Sequence, residues 1–375
     1  MKKILFAAVC LLLACFMLVG CADDVIGDYI NQYDEPAVKE KLKLNLYVIY
    51  EEGTTKNAID TVKQRIESYT LSTYDTAVKV IYCTADEYEA RIASAVKPGA
   101  AHKADIVLVN SESLMNKLME GEYLADLTDY FNSKEYGTLN NTIAASLIDA
   151  CRLEGYVYDE FGNASLANDR LFYIPNNRIV GQYEYIIIDK SIARYYYDSD
   201  LDLAAINTVE AADALKAKIV ADGLDADDYI KVVYGMYEDK AAYEADGYAC
   251  NVLSAPVVTT EDAFKGGFAV VNTTVDVARA MEIVYALNTD VNLHNYLLYG
   301  IPATNYIMDD EGNITRDSEG NSVYYMNPLY CGDIFTSYYC DEIGWNADSE
   351  KYGAIQNDDS FFYTEEVEEP SESVD

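Results

Sequence analysis

The chain has 375 residues, half of them hydrophobic, so it can bury one or two substantial cores. Its formal net charge is −37, from 27 basic and 64 acidic residues. So acidic a surface repels the phosphates of nucleic acids and the headgroups of anionic lipids, which argues against both as partners. Apart from an acidic end, the charges are spread along the chain, as is typical of a solvated surface.

The first residues have the pattern of an export signal. Lys2 and Lys3 precede an apolar run, and small residues follow as far as Cys21. The run Leu18-Val19-Gly20-Cys21 resembles a bacterial lipobox, in which the chain is cut before the cysteine and the cysteine is lipidated. We therefore expect a signal peptide over 1–20, a lipidated Cys21 and a tether over 21–41. A plain transmembrane anchor is less favoured because the apolar run is interrupted.

The next part of the chain alternates between apolar strands and capped helices. Continuous apolar strands that alternate with helices predict a parallel α/β sheet. The strands are predicted at Lys43–Tyr50, Ala77–Cys83 and Asp105–Val109, and the helices follow caps at Thr54 or Thr55, at Thr84 with Glu87, and at Asn110-Ser111.

Polar residues follow the first and third of these strands. Ligands of open α/β sheets lie at the carboxyl ends of the strands, which places Glu51, Glu52, Asn110 and Ser111 along one rim. Helix capping alone also explains Asn110 and Ser111.

The stretch Leu171–Lys190 bends at Pro175-Asn176-Asn177 and resumes as a strand at Tyr183–Asp189. We interpret it as a crossing between two lobes, with Asn176 and Asn177 facing the space between them. A second, shorter set of elements follows. It comprises helices near Ser191–Tyr197 and Val209–Val220, strands at Tyr229–Tyr234, Tyr248–Leu253 and Phe268–Val271, and two helices capped by Thr273 or Thr274 and by Thr289.

The segment Ala280–Ile301, AMEIVYALNTDVNLHNYLLYGI, closely resembles a segment of the extracellular solute-binding lipoproteins of ABC importers, of the carbohydrate-binding type. Leu171–Lys190 resembles the crossing strand of the same family, and Ala104–Leu127 resembles its first lobe. Met326–Asn357 resembles it more loosely.

This resemblance implies a type II periplasmic-binding-protein fold, with two α/β lobes joined by a hinge and a ligand cleft between them. The first lobe is expected over 42–182 with 266–328, the second over 183–265 with 329–360, and an acidic tail over 361–375. Relatives usually continue further at the C-terminus, so a reduced second lobe is expected.

The function implied is that of a lipid-anchored receptor on the outer face of a bacterial membrane. It captures a solute, most favourably a carbohydrate, and delivers it to the permease subunits of an ABC transporter; a peptide or an amino sugar is the alternative ligand. With 35 tyrosines and one tryptophan, Trp345, the chain offers aromatic rings for sugar faces, although Trp345 could equally fill a core. The predicted ligand-binding residues are Glu51, Glu52, Asn110, Ser111, Asn176, Asn177, Tyr183 and Trp345.

No nucleophile, P-loop or zinc motif is present in the sequence, and no cofactor, metal site or catalytic activity is predicted. A lipid-anchored glycan-processing enzyme and a surface adhesion module are the alternatives from other classes. Cys331 and Cys340 could form a disulfide, which the sequence alone leaves open.

Overall fold

A computed structural model describes residues 41–158, 163–192 and 203–363. The predicted signal peptide, Cys21, nearly all of the tether, and the acidic tail from residue 364 lie outside the described residues, as does most of the helix predicted near Ser191–Tyr197. In chain order, the strands and α-helices are β1 (Leu42–Ile49), α1 (Lys56–Tyr74), β2 (Thr76–Cys83), α2 (Ala85–Ala95), β3 (Ile106–Val109), α3 (Glu112–Glu120), α4 (Thr128–Phe131), α5 (Gly137–Thr142), α6 (Ala145–Ala150), β4 (Leu153–Tyr158), β5 (Ala164–Arg170), β6 (Ile174–Pro175), β7 (Tyr183–Asp189), α7 (Val209–Ala221), β8 (Ile230–Gly235), α8 (Asp239–Ala245), β9 (Tyr248–Ser254), β10 (Val257–Val258), α9 (Thr260–Ala263), β11 (Gly267–Val270), α10 (Val277–Thr289), α11 (Val291–Leu298), β12 (Tyr306–Met308), β13 (Ile314–Arg316), α12 (Ala347–Asp359) and β14 (Phe361–Phe362).

A five-stranded sheet forms the centre of the large lobe, in the order β2-β1-β3-β11-β6. Strands β1, β2 and β3 are parallel, as the alternation of apolar strands and helices predicts. Strand β11 joins them antiparallel from much later in the chain and in turn pairs with β6. Nearly every side chain of β3 and β11 is buried, because helices cover both faces of this sheet.

The small lobe, residues 183–254, is built on a three-stranded antiparallel sheet in the order β8-β7-β9. Ile186 and Ile188 of β7 pack on one face of this sheet with Leu215 of α7, and Tyr185 and Ile187 pack on the other. Alternate side chains of β7 therefore belong to two small cores, one on each face of the sheet. The lobe boundaries expected from the sequence stay a prediction.

Two segments connect the lobes, residues 176–182 and 255–258, and they approach each other closely. Gly181 has φ +64°, and a Cβ there would lie 2.8 Å from the carbonyl oxygen of Val257. A side chain would therefore be both strained and crowded, so glycine is the residue that permits this approach.

Helix α12 contacts one connecting segment and leads into a strand that pairs with the other. The Nε2 atom of Gln356 donates to the carbonyl oxygens of Val180 (3.0 Å) and Gly181 (2.9 Å). After the helix, β14 pairs with β10 in the other segment. The hinge region between the lobes is therefore formed by two crossing segments and by a helix that hydrogen-bonds to one of them and leads directly into the strand that pairs with the other.

Two helix caps differ from those expected. Helix α10 is capped by Asp276 rather than by Thr273 or Thr274, and α11 is capped by Asp290 rather than by Thr289. A carboxylate accepts the free backbone N–H groups and also interacts favourably with the helix dipole, so it is the better cap. The Thr274 hydroxyl instead donates to a carboxylate just before β3, and Thr289 donates to a carbonyl of its own helix.

Within the described residues, every helix is too short or too polar to span a bilayer.

Candidate functional site

Three strands of the large sheet end at one edge, close to the crossing between the lobes. The register pairs Tyr47 of β1 with Val107 of β3, and Gly267 of β11 pairs with both Val109 and Pro175. The residues that follow β1, β3 and β6 therefore share this edge. They include Glu51, Asn110 and Asn176, three of the residues predicted from the sequence.

The segment 325–331 crosses over this edge. The backbone N–H of Glu51 donates to the carbonyl oxygen of Tyr325 (3.0 Å), and the amide of Asn176 donates to the carbonyl oxygen of Leu329 (2.8 Å). Gly266 allows the approach, because a Cβ there would lie 2.0 Å from the same Leu329 oxygen. Asn176 is consequently 1% exposed. Its position makes it a support of the edge as well as a candidate for ligand binding.

Ser111 and Asn110 differ in what they contact. The Ser111 hydroxyl accepts the backbone N–H of Leu114 (3.2 Å) and caps α3, the alternative that the sequence left open. The Oδ1 atom of Asn110 is buried and has no hydrogen-bond partner among the described residues. A buried acceptor without a partner is unfavourable, so this atom can accept a hydrogen bond from a ligand or from water.

Glu51 and Glu52 lie at the rim of the edge. Glu52 is exposed, whereas Glu51 is half-buried and lines a shallow recess of about 420 Å³. The Arg316 guanidinium forms one wall of this recess and lies 4.7 Å from the ring centre of Tyr325. The recess therefore combines a carboxylate, a cation and an aromatic ring.

A larger cleft of about 530 Å³, named here the Asn177 cleft, opens beside the crossing. Its wall combines the turn between α5 and α6, the segment that contains Asp333, and the end of α12. Its lining residues are Asn140, Asn141, Thr142, Ile143, Ala144, Ala145, Asn177, Asp333, Phe335, Thr336, Ala354, Asn357, Asp358 and Ser360.

Asn177 and Asp333 form a buried polar pair in the wall of this cleft. Each is 3% exposed, the Asn177 side chain lies beside the Asp333 carboxyl and favours its charged form, and that carboxyl accepts the backbone N–H of Phe335 (2.9 Å). Burial raises the pKa of Asp333 to about 7, because a charged carboxylate loses its hydration there. The Oδ1 atom of Asn177 is buried without a partner in the described part of the chain.

Tyr183 and Trp345 are both buried, at 2% and 4% exposure. The Tyr183 hydroxyl donates to the carboxylate of Asp359 in α12, and its ring stacks on Tyr185. The Trp345 ring packs edge-on against Phe335, with ring centres 5.2 Å apart, and its indole N–H has no partner among the described residues. Trp345 therefore lies behind a ring that lines the Asn177 cleft.

The structure thus brings Glu51, Asn110 and Asn176 together at one sheet edge, and Asn177 and Trp345 together near one cleft. Tyr183 belongs to the hinge. Asp333 and Phe335, which line the Asn177 cleft, were not among the residues predicted from the sequence; they lie in the part of the chain with the looser resemblance to the family. That resemblance is the one signal by which the sequence could have indicated them.

Metal and thiol chemistry find no support in the described residues. No group of three histidine, cysteine or carboxylate side chains that could hold a metal ion occurs among them. Cys331 and Cys340, which the sequence allowed to pair, are both free and buried. Burial raises the pKa values of the thiols, to about 11 for Cys83 and Cys250 and well above the usual value for Cys331, so that they stay protonated at neutral pH.

No family model matches this sequence, and a search of curated proteins returned no match. The structure is similar to the crystal structure of an N-glycan transport solute-binding protein (NgtS) from Streptococcus pneumoniae, with a TM-score of 0.53 and 13% sequence identity. The similarity covers 86% of this chain and 84% of that protein. This chain has the solute-binding-protein fold.

Two structures of the same Streptococcus pneumoniae protein in complex with glycans are similar to the same degree. The complex with Man1GlcNAc has a TM-score of 0.52 at 12% identity, and the complex with Man5GlcNAc has a TM-score of 0.52 at 13% identity. Each covers 86% of this chain, and 84% and 83% of the respective protein. The two-lobed α/β fold that the sequence implied is thereby confirmed, and the described residues of the small lobe contribute three strands to its main sheet.

Proposed function

We propose that this protein is an extracellular solute-binding protein that captures a carbohydrate and delivers it to an ABC importer. The observation that carries the proposal is the solute-binding-protein fold over 86% of the chain, shared with a protein whose crystal structures hold Man1GlcNAc and Man5GlcNAc. The sequence reached the same function independently through the segments that resemble this family.

The chemistry of the Asn177 cleft suits a sugar. Sugar hydroxyls both donate and accept hydrogen bonds, and the cleft offers amide, hydroxyl and carboxyl groups. The free Oδ1 of Asn177 needs a donor, which a hydroxyl group supplies. Phe335 adds an aromatic ring for the apolar face of a sugar.

The ligand-binding residues expected from the sequence remain candidates within this proposal. The proposal adds Asp333 and Phe335 from the Asn177 cleft. The full candidate set is Glu51, Glu52, Asn110, Ser111, Asn176, Asn177, Tyr183, Asp333, Phe335 and Trp345.

Closure of the two lobes on the ligand would bend residues 176–182 and 255–258. These are the segments that α12 and β14 contact, so the position of α12 would change when the lobes close. The closed form would then dock on the permease subunits.

The experiment that tests this function is isothermal titration calorimetry of the purified protein with Man1GlcNAc, Man5GlcNAc and a panel of other neutral oligosaccharides. Saturable binding by at least one sugar, recovered unchanged by chromatography, is the expected result. Release of cleavage product in excess of the protein would indicate a glycan-processing enzyme instead. Absence of binding across the panel would contradict the carbohydrate ligand.

We also propose that Cys21 carries the lipid that holds the protein at the membrane surface. The lipobox Leu18-Val19-Gly20-Cys21 supports it. A Cys21→Ser variant should lose metabolic labelling with a fatty acid and leave the membrane fraction. A variant that stays membrane-bound, together with unprocessed wild type, would show that the N-terminus is a transmembrane anchor.

A further inference from the structure

The Asn177 cleft has an uneven balance of charge. Asp333 and Asp358 line it, and none of its described lining residues is lysine, arginine or histidine. The rest of the lining is apolar, hydroxyl-bearing or amide-bearing. This matches the protein as a whole, whose formal net charge is −37. A ligand in the cleft therefore meets carboxyl groups and amides with no opposing cation in the wall.

The charge of Asp333 is also not compensated by a cation. The groups that act on its carboxyl are the backbone N–H of Phe335 and the side chain of Asn177, both uncharged. Burial raises the pKa of this carboxyl to about 7, so that it is partly ionised at neutral pH. A negative charge brought into the cleft would interact unfavourably with the ionised form, and the low polarity of a buried site strengthens this repulsion.

The arginine that follows Asn177 in the chain makes its hydrogen bonds outside the cleft. Arg178, which follows Asn177 in the chain, is 7% exposed. Its guanidinium donates to the carbonyl oxygens of Asn176 and Gly266 (both 3.3 Å) and to that of Asp262. It holds the crossing segment to the edge of the large sheet. It does not line the cleft, and both of its terminal nitrogens already donate to carbonyl oxygens.

From this arrangement we infer that the solute is an uncharged sugar and that the cleft rejects acidic sugars, such as those that carry uronic acid, sialic acid or phosphate groups. The inference rests on the proposed function, since it assigns the ligand class of the same cleft. The hydrogen bonds of an uncharged sugar can be satisfied by Asn177, Asp333 and Thr336. An acidic sugar adds a charge that has no partner there.

The test is calorimetric titration of the full chain, solubilised in detergent, with matched pairs of glycans. One pair is the biantennary N-glycan without sialic acid and its disialylated form, and the other is a xylo-oligosaccharide with and without a glucuronic acid branch. We expect at least tenfold weaker binding of the acidic member of any pair whose neutral member binds. Higher salt should weaken this discrimination, because ions screen the repulsion.

Two variants separate the charge effect from a loss of shape. Asp333→Asn keeps the size of the side chain and removes the charge, so it should reduce the discrimination severalfold by improving the binding of the acidic member. Asp358→Asn, on the exposed side of the cleft, should have a smaller effect in the same direction. Melting temperatures of both variants establish that they fold.

The outcomes are distinguishable. Equal or tighter binding of the acidic member by the wild type would overturn the inference and leave the carbohydrate-binding function intact. Weaker binding of the acidic member that Asp333→Asn and Asp358→Asn leave unchanged would also overturn it, since the discrimination would then come from shape. No binding of any member would overturn the proposed function itself.

Discussion

The hydroxyl of Tyr183, the first residue of β7, donates a hydrogen bond of 2.5 Å to the carboxylate of Asp359, the last residue of α12. The bond joins the main sheet of the small lobe to the helix that also holds Val180 and Gly181 through Gln356. Burial and this bond raise the pKa of Tyr183 well above that of a free tyrosine, so that it remains a donor at neutral pH. The contact therefore belongs to the hinge between the lobes.

Tyr183→Phe should destabilise the protein by removing this bond. The Phe ring can keep the stacking on Tyr185, and the Asp359 carboxylate is exposed enough to bind water, so the expected loss is about 1 kcal/mol. Urea unfolding followed by circular dichroism measures it. Asp359→Asn is the matched variant: it keeps an acceptor, and we expect a smaller loss. Equal stability of Tyr183→Phe and wild type would mean that the bond does not form in solution.

Asp333 should make the stability depend on pH. Its pKa is about 7 in the folded protein and 3.8 in a free carboxyl, so the folded state binds more protons between these values. The stabilising contribution is complete below about pH 4 and is lost as the pH rises through 7. The unfolding free energy changes by at most about 4 kcal/mol across this pH range because of Asp333. Asp333→Asn should therefore gain stability relative to wild type at pH 8 and not at pH 4.

Asp358→Asn provides the control for this prediction, because Asp358 lines the same cleft but is exposed. Melting temperatures at half-unit steps from pH 4 to pH 8 measure both variants against wild type. A difference between Asp333→Asn and wild type that stays constant across this range would show that Asp333 does not titrate there.

His294 should make the stability depend on pH in the direction opposite to that of Asp333. It is fully buried, hydrogen-bonds the Ser337 hydroxyl (2.7 Å) and the Cys331 carbonyl (3.2 Å), and burial lowers its pKa to about 4. Between pH 4 and pH 6.5 the unfolded chain therefore binds more protons, and stability rises with pH. The contribution is lost as the pH falls through this window, by up to about 3 kcal/mol.

His294→Gln keeps hydrogen-bonding capacity without a group that titrates here. We expect the variant to be less stable than wild type at pH 7 and to lose less stability on acidification to pH 4.5. Chemical unfolding at both pH values measures the difference. If the variant and the wild type lose the same stability on acidification, groups other than His294 cause that loss.

Trp345→Ala should separate a role in the core from a role in ligand binding. Trp345 is 4% exposed and packs edge-on against Phe335, so we expect the variant to lose about 3–5 kcal/mol of unfolding free energy, the cost of truncating a buried aromatic side chain. Its affinity for the sugar found in the calorimetric panel should remain within a few-fold of wild type.

Phe335→Leu is the companion variant, since Phe335 lines the Asn177 cleft and Trp345 lies behind it. It should lower the free energy of sugar binding more than it lowers the free energy of unfolding. Full stability of Trp345→Ala with a tenfold loss of affinity would place the tryptophan in the ligand site, as the sequence prediction has it.

Local patterns in the sequence determined many of the strands and helix caps. Strand β7 was predicted with its observed bounds, and β1, β2 and β3 lie within one residue of theirs. The capping box of Thr84 and Glu87 forms at the start of α2. These features depend on residues a few positions apart, such as an apolar run, a cap or a turn. The segments that resemble solute-binding proteins added the overall fold.

Long-range packing decided the site. Strand β11 enters the large sheet antiparallel between β3 and β6, and no local pattern specifies that pairing. Asn177 and Asp333 lie far apart in the chain and become a buried pair only because the segment after residue 325 crosses over the sheet edge. Burial likewise set the pKa of Asp333 and the position of Trp345. Burial and charge environment arise from residues distant in sequence, so composition and periodicity determined the elements and tertiary packing determined their chemistry.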